Sequence, residues 1–348
     1  MRMSATQHKI LRYVWKKRET VRKDISRDLG INPSTVTRNL KGLLDEGVVE
    51  IRGVVSTSET VGRKSEVIAL NDSWRKIVGI SVERGEVTAL LVSMTGRILK
   101  QKREFVEVKP DEVIETIVRV GGDLIREGDV LAVAVPGIVS NGVVEYSMAL
   151  ELRKFDLKGK LEERVGKKVF VINDANAAVA NFSDKASSLV CFLISVPYNL
   201  MEEVGIGAGI WIDGKLHRGS HNAAGETGSG VRIVEGGGTI EDLKSGRFSA
   251  EDMGRFVEET AEKMAVLSQF VDPELVVISG DVDLLPEKVR ESIVEEMRRK
   301  LLSDIEIIVD LDGERSVARG AAMALINEAM SDPTILEEYI WGESLKTS

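Results

Sequence analysis

The chain has 348 residues, of which 43% are hydrophobic and 30% are charged, and its formal net charge is −9. This length predicts two or three domains rather than one. The single cysteine, Cys191, excludes an intramolecular disulfide and a cysteine-rich zinc site. No apolar run approaches the roughly 20 residues that a membrane helix needs, and the N-terminus has no signal-peptide pattern, so we expect a cytoplasmic protein without a membrane partner.

Charge is divided unevenly along the chain. Residues 1–70 hold 14 Lys and Arg against 8 Asp and Glu, whereas residues 71–348 hold 33 against 48. A basic head on an acidic body indicates that the head contacts a polyanion. A basic surface that is only solvated is the alternative.

Residues 1–70 predict a winged helix–turn–helix domain. Apolar residues at helical spacing indicate a helix near 10–15, a second helix ends at Gly30, and Asn32 with Pro33 begins a third. Strands predicted at 48–51 and 67–70 enclose a loop that forms the wing. The predicted DNA contacts lie on the third helix and the wing; they are Ser34, Thr35, Thr37, Arg38, Lys41, Arg63 and Lys64. A winged helix that contacts only proteins is the alternative.

The body repeats one pattern of predicted elements. Three strands come first and helices then alternate with strands, once over 77–172 and again over 189–309. This pattern predicts two α/β lobes with a cleft between them. We place the first lobe at 71–184, completed by a C-terminal helix at about 331–348, and the second lobe at 185–330.

The cleft is expected to involve the glycine-rich segment 205–228. Gly205, Gly207 and Gly209 alternate within a predicted strand, which indicates that a ligand or another backbone comes close. Glu226 follows among small residues, where its carboxylate can accept hydrogen bonds from a hydroxyl-rich ligand. We interpret this segment as part of a sugar site.

The motifs of the body resemble the ROK family, which groups bacterial sugar kinases with sugar-responsive repressors. The matching segments are VPGIV at 135–139, NDANAA at 173–178, GIGAGI at 205–210, DGKL at 213–216, AGETG at 224–228 and ARGAA at 318–322. The resemblance implies the two-lobed, actin-like and ribonuclease-H-like ATPase fold behind the winged head. That head is typical of the repressor branch, which includes xylose- and N-acetylglucosamine-type regulators.

The resemblance also implies the residues of a sugar site. They are Asn173, Asp174, Glu226, Ser229 and Glu241, and Asp174 would be the general base of a kinase. The segments that hold ATP in the kinases differ here at Ser81–Gly85, at Glu203–Val204 and at Ser279–Asp281, where added carboxylates weaken anion binding. We therefore predict a protein that is not an enzyme. An ATP- and Mg²⁺-dependent kinase of a hexose or an N-acetylhexosamine is the alternative.

No cofactor and no structural zinc are expected. The family's zinc ligands are a histidine and three cysteines; here Ser229 replaces the histidine, and 234–239 contains no cysteine. His217 and His221 lie nearby and are interpreted as surface or turn residues. The predicted partners are a palindromic double-stranded operator and a small-molecule sugar, bound by a homodimer or homotetramer. A DNA-binding scaffold without a ligand is a third possibility.

Overall fold

A computed structural model describes residues 3–56, 64–83, 85–197, 199–228, 230–234 and 237–342. In these ranges no helix has the length and apolar character that crossing a membrane requires.

The head is a winged helix–turn–helix, as predicted. Ser4 begins the first helix in a capping box with Gln7, and Asn32 caps the third helix ahead of Pro33. Ile10, Leu40 and Ile68 are fully buried between the helices and a sheet of order β1-β3-β2. The elements are α1 (Ala5–Lys17), β1 (Glu19–Val21), α2 (Arg22–Leu29), α3 (Pro33–Asp45), β2 (Val49–Ser56) and β3 (Lys64–Leu70).

The first sheet and its helices follow directly. Its two central strands are buried on both faces because helices cover the sheet from both sides. Three short strands and one helix between 138 and 165 were not predicted from the sequence. The elements are β4 (Lys76–Glu83), β5 (Glu86–Ser93), β6 (Ile98–Phe105), α4 (Val113–Glu127), β7 (Val130–Val135), β8 (Ile138–Ser140), β9 (Val143–Ser147), β10 (Leu152–Asp156), α5 (Leu157–Val165), β11 (Val169–Asn173) and α6 (Asp174–Asn181).

The second sheet repeats this plan later in the chain. Its elements are β12 (Leu189–Ser195), β13 (Gly205–Ile212), β14 (Lys215–Leu216), α7 (Ile240–Lys244), α8 (Ala250–Val271), β15 (Leu275–Gly280), a 3₁₀ turn (Asp281–Leu284), α9 (Glu287–Lys300), β16 (Glu306–Val309) and α10 (Gly313–Ser331). Two further helical turns follow, at Pro333–Ile335 and Leu336–Trp341.

The two sheets have the same strand order. It is β6-β5-β4-β7-β11 in the first and β14-β13-β12-β15-β16 in the second. In each, three antiparallel strands precede two strands that run parallel to the central one. The predicted two-lobed α/β fold is therefore confirmed.

Helices α6 and α10 pack against each other between the two sheets. One hydrophobic core joins them to the inner faces of both sheets, whereas α4 and α5 cover the outer face of the first sheet and α8 and α9 that of the second. At Gly320 of α10, a Cβ atom would lie 1.9 Å from the carbonyl oxygen of Ala177 in α6. Only glycine permits so close an approach of two helices.

Helix α10 packs against the first sheet, although the sequence-based division placed residues up to 330 in the second lobe. Buried residues lie on nearly every side of this helix. A helix that is apolar all round gives no periodic signal of the sheet it covers. The boundary is therefore set by packing that the sequence pattern does not reveal.

The head rests on the first lobe and on the C-terminal part of α10. His8 is buried, and its Nε2–H donates to the carbonyl oxygen of Ala329 at 3.0 Å. The backbone N–H of Met3 donates to Oε1 of Glu337 at 3.1 Å. Arg18 donates to the carbonyl oxygen of Thr95, also at 3.1 Å. The head is thus anchored at three points on the body.

Candidate functional site

Helix α3 presents a polar face to solvent. Val36, Leu40 and Leu43 are buried in the head, which fixes the rotation of the helix. The predicted contact residues lie on the opposite side: Ser34, Thr37, Arg38 and Lys41 are exposed, and Thr35 is half-buried. A recognition helix needs this division between an apolar face and an exposed polar face.

The hydroxyls of α3 are held by the helix, whereas its cations are not. The Ser34 hydroxyl donates to the Oδ1 of Asn32 at 2.8 Å, and the Thr37 hydroxyl donates to the carbonyl oxygen of Pro33 at 2.9 Å. Within the described part of the chain, Arg38 and Lys41 have neither a hydrogen-bond acceptor nor an ion-pair partner. Both cations can therefore turn to an external phosphate or base edge.

The wing is described only in part. Lys64 is the first residue of β3 and is exposed. Arg63 lies outside the described residues. Their roles as DNA contacts remain predictions.

Asn173 and Asp174 lie where β11 ends and α6 begins. Asn173 caps the helix, since its Oδ1 accepts from the backbone N–H of Asn176 at 2.9 Å. Its Nδ2 donates to the carbonyl oxygen of Gly137 and to the Oδ1 of Asp174, each at 2.8 Å. The backbone N–H of Ala175 donates to the same Oδ1 at 2.7 Å. Local hydrogen bonds thus hold Asp174 in one orientation at the cleft.

The carboxyl group of Asp174 has a raised pKa. Burial raises its pKa to about 7, and the charge of Glu226 adds to the rise, while the two hydrogen bonds from Asn173 and Ala175 oppose it. A carboxyl with this pKa can accept or donate a hydrogen bond to a sugar hydroxyl. It can also serve as a general base, so this pKa alone does not separate sensing from catalysis.

Glu226 approaches Asp174 from the second lobe. It forms a β-bridge with Gly207, and partial burial of its carboxylate raises its pKa. Gly209 is one of the alternating glycines of β13, and the structure explains why it is glycine. A Cβ there would lie 2.1 Å from the carbonyl oxygen of Ala175. The close approach at Gly209 is therefore made by the backbone of α6.

Two predicted sugar ligands are not brought into this group. Glu241 is exposed on the short helix α7, and in the described residues no hydrogen bond or ion pair links its carboxylate to Asp174 or Glu226. Ser229 lies outside the described residues. Both assignments remain predictions.

The predicted absence of zinc concerns the segments on both sides of Glu226. His217 and His221 are exposed, as expected for surface residues. Across the ranges that the structure covers, no group of three or more His, Cys, Asp and Glu side chains is arranged to hold a metal ion. Residues 235–236 of the shortened loop lie outside those ranges, and the absence of zinc remains a prediction.

Carboxyl groups fill the half of the cleft where a kinase would hold nucleotide phosphates. Burial raises the pKa of Glu83 well above its usual range, and the charge of Glu314 raises it further. Burial likewise raises the pKa of Glu314 to about 8 and that of Asp281 to about 6. The Ser81 hydroxyl donates to Glu314 at 2.6 Å, and the backbone N–H of Val196 donates to Asp281 at 2.8 Å. Among the described residues, Arg103 acts on Asp281 but is paired with Glu86, and the Val196 N–H is taken up by Asp281, so neither is free to bind phosphate.

Glu314 was missed in the sequence analysis, whereas Glu83 and Asp281 were recognised. It occupies the first turn of α10, whose first residue lies against Gly280. The sequence signal that could have pointed to Glu314 is its position immediately after Asp312-Gly313, where a helix begins. That signal does not say which sheet the helix reaches.

Comparison with known proteins follows the same division of the chain. Residues 77–237 match the ROK family, and residues 3–50 match the family described as winged helix-turn-helix DNA-binding. The chain carries a ROK family domain. It joins that domain to a winged helix–turn–helix, so the resemblance inferred from the motifs is confirmed.

Relatives of the whole chain include a regulator. The xylose repressor of Caldicellulosiruptor bescii is 24% identical over 90% of this chain and 93% of its own length. A solved ROK family transcriptional regulator, described as a homolog of the E. coli MLC protein, superposes with a TM-score of 0.69, 19% identity and coverage of 97% of this chain and 99% of its own. A Streptomyces griseus ROK glucokinase in complex with glucose and AMPPNP superposes with a TM-score of 0.58 and 19% identity, over 71% of this chain and 98% of its own. These superpositions show a shared fold.

Proposed function

We propose that this protein is a sugar-responsive transcriptional repressor. The observation that carries the proposal is the exposed face of α3, where Arg38 and Lys41 have no partner among the described residues, in a head that is joined to a ROK family domain. The similarity to a protein named as a xylose repressor, over nearly the full length of both, supports the same function.

A sugar is the effector that the cleft fits best. Asn173, Asp174 and Glu226 offer amide and carboxyl groups that both donate to and accept from hydroxyls. D-xylose is the first sugar to test because of the name of the relative. For the sugar to control DNA binding, it must bind the two states of the protein with different affinity.

We propose further that the protein does not transfer phosphoryl groups from ATP. Glu83, Asp281 and Glu314 stand in the nucleotide half of the cleft, where the phosphates of ATP would need cations and backbone N–H donors. The alternative, a sugar kinase with Asp174 as the general base, is favoured by the position and pKa of that residue. A coupled ADP-release assay over hexoses and N-acetylhexosamines decides between them. Turnover that disappears in Asp174→Ala would establish the kinase.

The regulator would act as a homodimer or a homotetramer. A winged helix–turn–helix binds a palindromic operator through paired heads, because a two-fold protein axis requires two half-sites. Sedimentation with and without operator DNA tests this assembly.

Capture of genomic DNA tests the regulator function. Sheared DNA from the source organism is passed over the full-length protein and over a protein that begins at residue 71. Enrichment of a few loci by the full-length protein alone is expected. Equal retention by the headless protein, or no enrichment, would show that the head is not an operator-binding domain.

A further inference from the structure

The segment 217–225 connects the second sheet to the first lobe. We call it the bridging loop; it follows β14 and ends one residue before Glu226. At its start, the backbone N–H of His217 donates to a carbonyl oxygen of β13 at 2.8 Å. In its middle, the Nδ2 of Asn222 donates to the hydroxyl of Ser140 in β8 at 3.3 Å. The bridging loop therefore spans the two lobes.

The bridging loop is a tight turn between Arg218 and Glu226. The backbone N–H of Ala224 donates to the carbonyl oxygen of Arg218 at 3.1 Å. Gly225 has a φ of 88°, and a Cβ there would lie 1.7 Å from the carbonyl oxygen of Ala208 in β13. Glycine alone fits this contact. Because the loop is closed by a hydrogen bond and packed on β13, a displacement of Glu226 relative to the first lobe moves Arg218 as well.

Arg218 forms an ion pair with Glu328 in the last turn of α10. The two side chains are 31% and 25% exposed, so the pair is shielded from most of the solvent. Shielding strengthens the attraction and also raises the cost of leaving either charge alone. Within the described residues, neither side chain has another ion-pair partner. The pair is thus a discrete contact that joins the second lobe to α10.

The turn of α10 that carries Glu328 also holds the head. Glu328 directly precedes Ala329, whose carbonyl oxygen accepts from His8 of α1 at 3.0 Å. The carbonyl oxygen of Glu328 accepts from the backbone N–H of Asp332 at 2.8 Å, which closes the helix. Carbonyl groups in a last turn lack partners within the helix, so contacts with side chains such as His8 hold this turn. A change in the ion pair therefore acts one residue away from the contact that holds the head.

We propose that the Arg218–Glu328 ion pair couples the cleft to the head. A sugar bound between Asp174 and Glu226 draws the lobes together, moves the bridging loop relative to α10 and weakens the pair. The last turn of α10 then holds His8 less firmly. The pair is the contact that differs between the two states, which coupling between two ligands requires. This inference rests on the proposed regulator function, and Arg218 is a positioning residue in it.

Hydrogen exchange of the full-length protein without a ligand tests the link between the ion pair and the head. Arg218→Met removes the charge and keeps an unbranched side chain. We expect the α1 amides to exchange at least about threefold faster in this variant than in the wild type, whereas those of β12 and β15 do not change. Arg164→Met is the matched control, because Arg164 pairs with Glu115 at 2.7 Å on the outer face of the first lobe. Equal exchange of α1 in Arg218→Met and the wild type would overturn the proposal.

Operator affinity with and without a sugar tests the link between the cleft and the head. The operator is one recovered by genomic DNA capture, and the sugars are D-xylose, D-glucose and N-acetyl-D-glucosamine. At least one sugar should change the operator affinity of the wild type and of Arg164→Met by about 5- to 150-fold. In Arg218→Met and in Glu328→Gln the change should be less than about twofold. Without sugar, these two variants should already have the operator affinity of the sugar-bound wild type.

A double variant and a titration exclude simpler causes of a lost response. Arg218→Met combined with Glu328→Gln should match either single variant, because all three remove the same contact. Calorimetry should find that the sugar binds Arg218→Met no more weakly than it binds the wild type. Unfolding midpoints check that the variants are folded, and Glu328→Gln, which preserves side-chain size, decides if Arg218→Met does not fold.

The other outcomes separate this proposal from the proposed function. An equal response of Arg218→Met and the wild type to a sugar would overturn the coupling, while the sugar-responsive repressor would stand. Weaker sugar binding in Arg218→Met would make Arg218 part of the sugar site and would also overturn it. If none of the sugars changes the operator affinity of the wild type, the sugar-responsive function fails for this panel, and the coupling proposal fails with it. Exchange of the α1 amides then decides only whether the ion pair holds the head.

Discussion

The exposed face of α3 and the interlobe cleft carry unpaired ionisable groups of opposite sign in different surroundings. On α3, Arg38 and Lys41 are exposed to water, which solvates their charges, so neither pays the free-energy cost of burial. In the cleft, Glu83, Asp174 and Glu314 are buried away from water, and this burial raises their pKa values. The same distinction separates a surface that attracts a polyanion from a site that holds protons.

This difference accounts for two ligands on one chain. Free cations on a convex helix suit the phosphates of DNA. Buried carboxyls with raised pKa values offer nucleotide phosphates neither a cation nor an array of N–H donors. A neutral hydroxylated molecule matches them better. The body thus shares its fold with a ROK glucokinase, and these carboxyls support our proposal that it binds a sugar without transferring a phosphoryl group.

Reversing one charge on α3 is expected to have the largest effect on DNA binding. Arg38→Glu should reduce affinity for a captured operator on the order of 100-fold, because a base contact worth ~1–3 kcal/mol is lost and a like charge faces phosphate. Fluorescence anisotropy with the operator measures the effect. Lys288→Glu is the matched control, since it makes the same charge change on the exposed side of α9 in the second lobe. Unchanged affinity in Arg38→Glu would remove α3 from the DNA interface.

Removing the His8 bond should loosen the head without touching either ligand surface. Ala329 lies in the last turn of α10, where carbonyl groups lack partners within the helix. His8→Leu leaves that carbonyl oxygen buried without a donor, at a cost of about 1–3 kcal/mol. Hydrogen exchange of the α1 amides should accelerate by a corresponding factor, whereas exchange in β12 and β15 should not change. Equal protection of α1 in the variant and the wild type would mean that the bond does not anchor the head.

Much of the fold and part of the site followed from the sequence alone. Helix caps such as Asn32-Pro33 and apolar periodicity located the head and most strands, because these signals are local. The sequence predicted that Asp174 and Glu226 share one cleft, because recognisable motifs place both residues at the ends of strands or helices. The placement of α10, and with it Glu314, depends on which sheet is covered by a helix that is buried on nearly every side. That choice is made by tertiary packing, which no local pattern records.

The cleft carboxyls should make stability depend on pH in a defined direction. The pKa of Glu314 is about 8 in the folded protein and about 4.3 when unfolded, so the folded state binds the proton more tightly. Its contribution to stability is present below about pH 4 and is lost as pH rises through about 8. Charges of Asp281, Glu86 and Asp174 lie around it and act in the same sense. The apparent Tm should therefore fall between pH 5 and pH 9.

Glu314→Gln isolates this group. The amide keeps an acceptor for the Ser81 hydroxyl but cannot ionise, so the variant should lose less stability on raising the pH and should melt ~2–4 °C higher than the wild type at pH 9. Differential scanning calorimetry at several pH values measures both. Glu291→Gln, on the exposed side of α9, is the matched control and should follow the wild type. A steeper fall in Glu314→Gln would contradict the raised pKa.

The smallest effect is expected for Lys41→Ala, which distinguishes the role of Lys41 in DNA binding from that of Arg38. Arg38 can form a bidentate contact with a base, whereas Lys41, a point charge one turn further along the helix, is suited to a phosphate. Lys41→Ala should weaken binding to operator and to random DNA by similar factors and lower the slope of log K against log salt by ~0.9. Titrations of both DNAs between low and moderate salt measure that slope. If Lys41→Ala weakens binding to the operator alone and leaves the slope unchanged, Lys41 contacts a base and not the phosphate backbone of DNA.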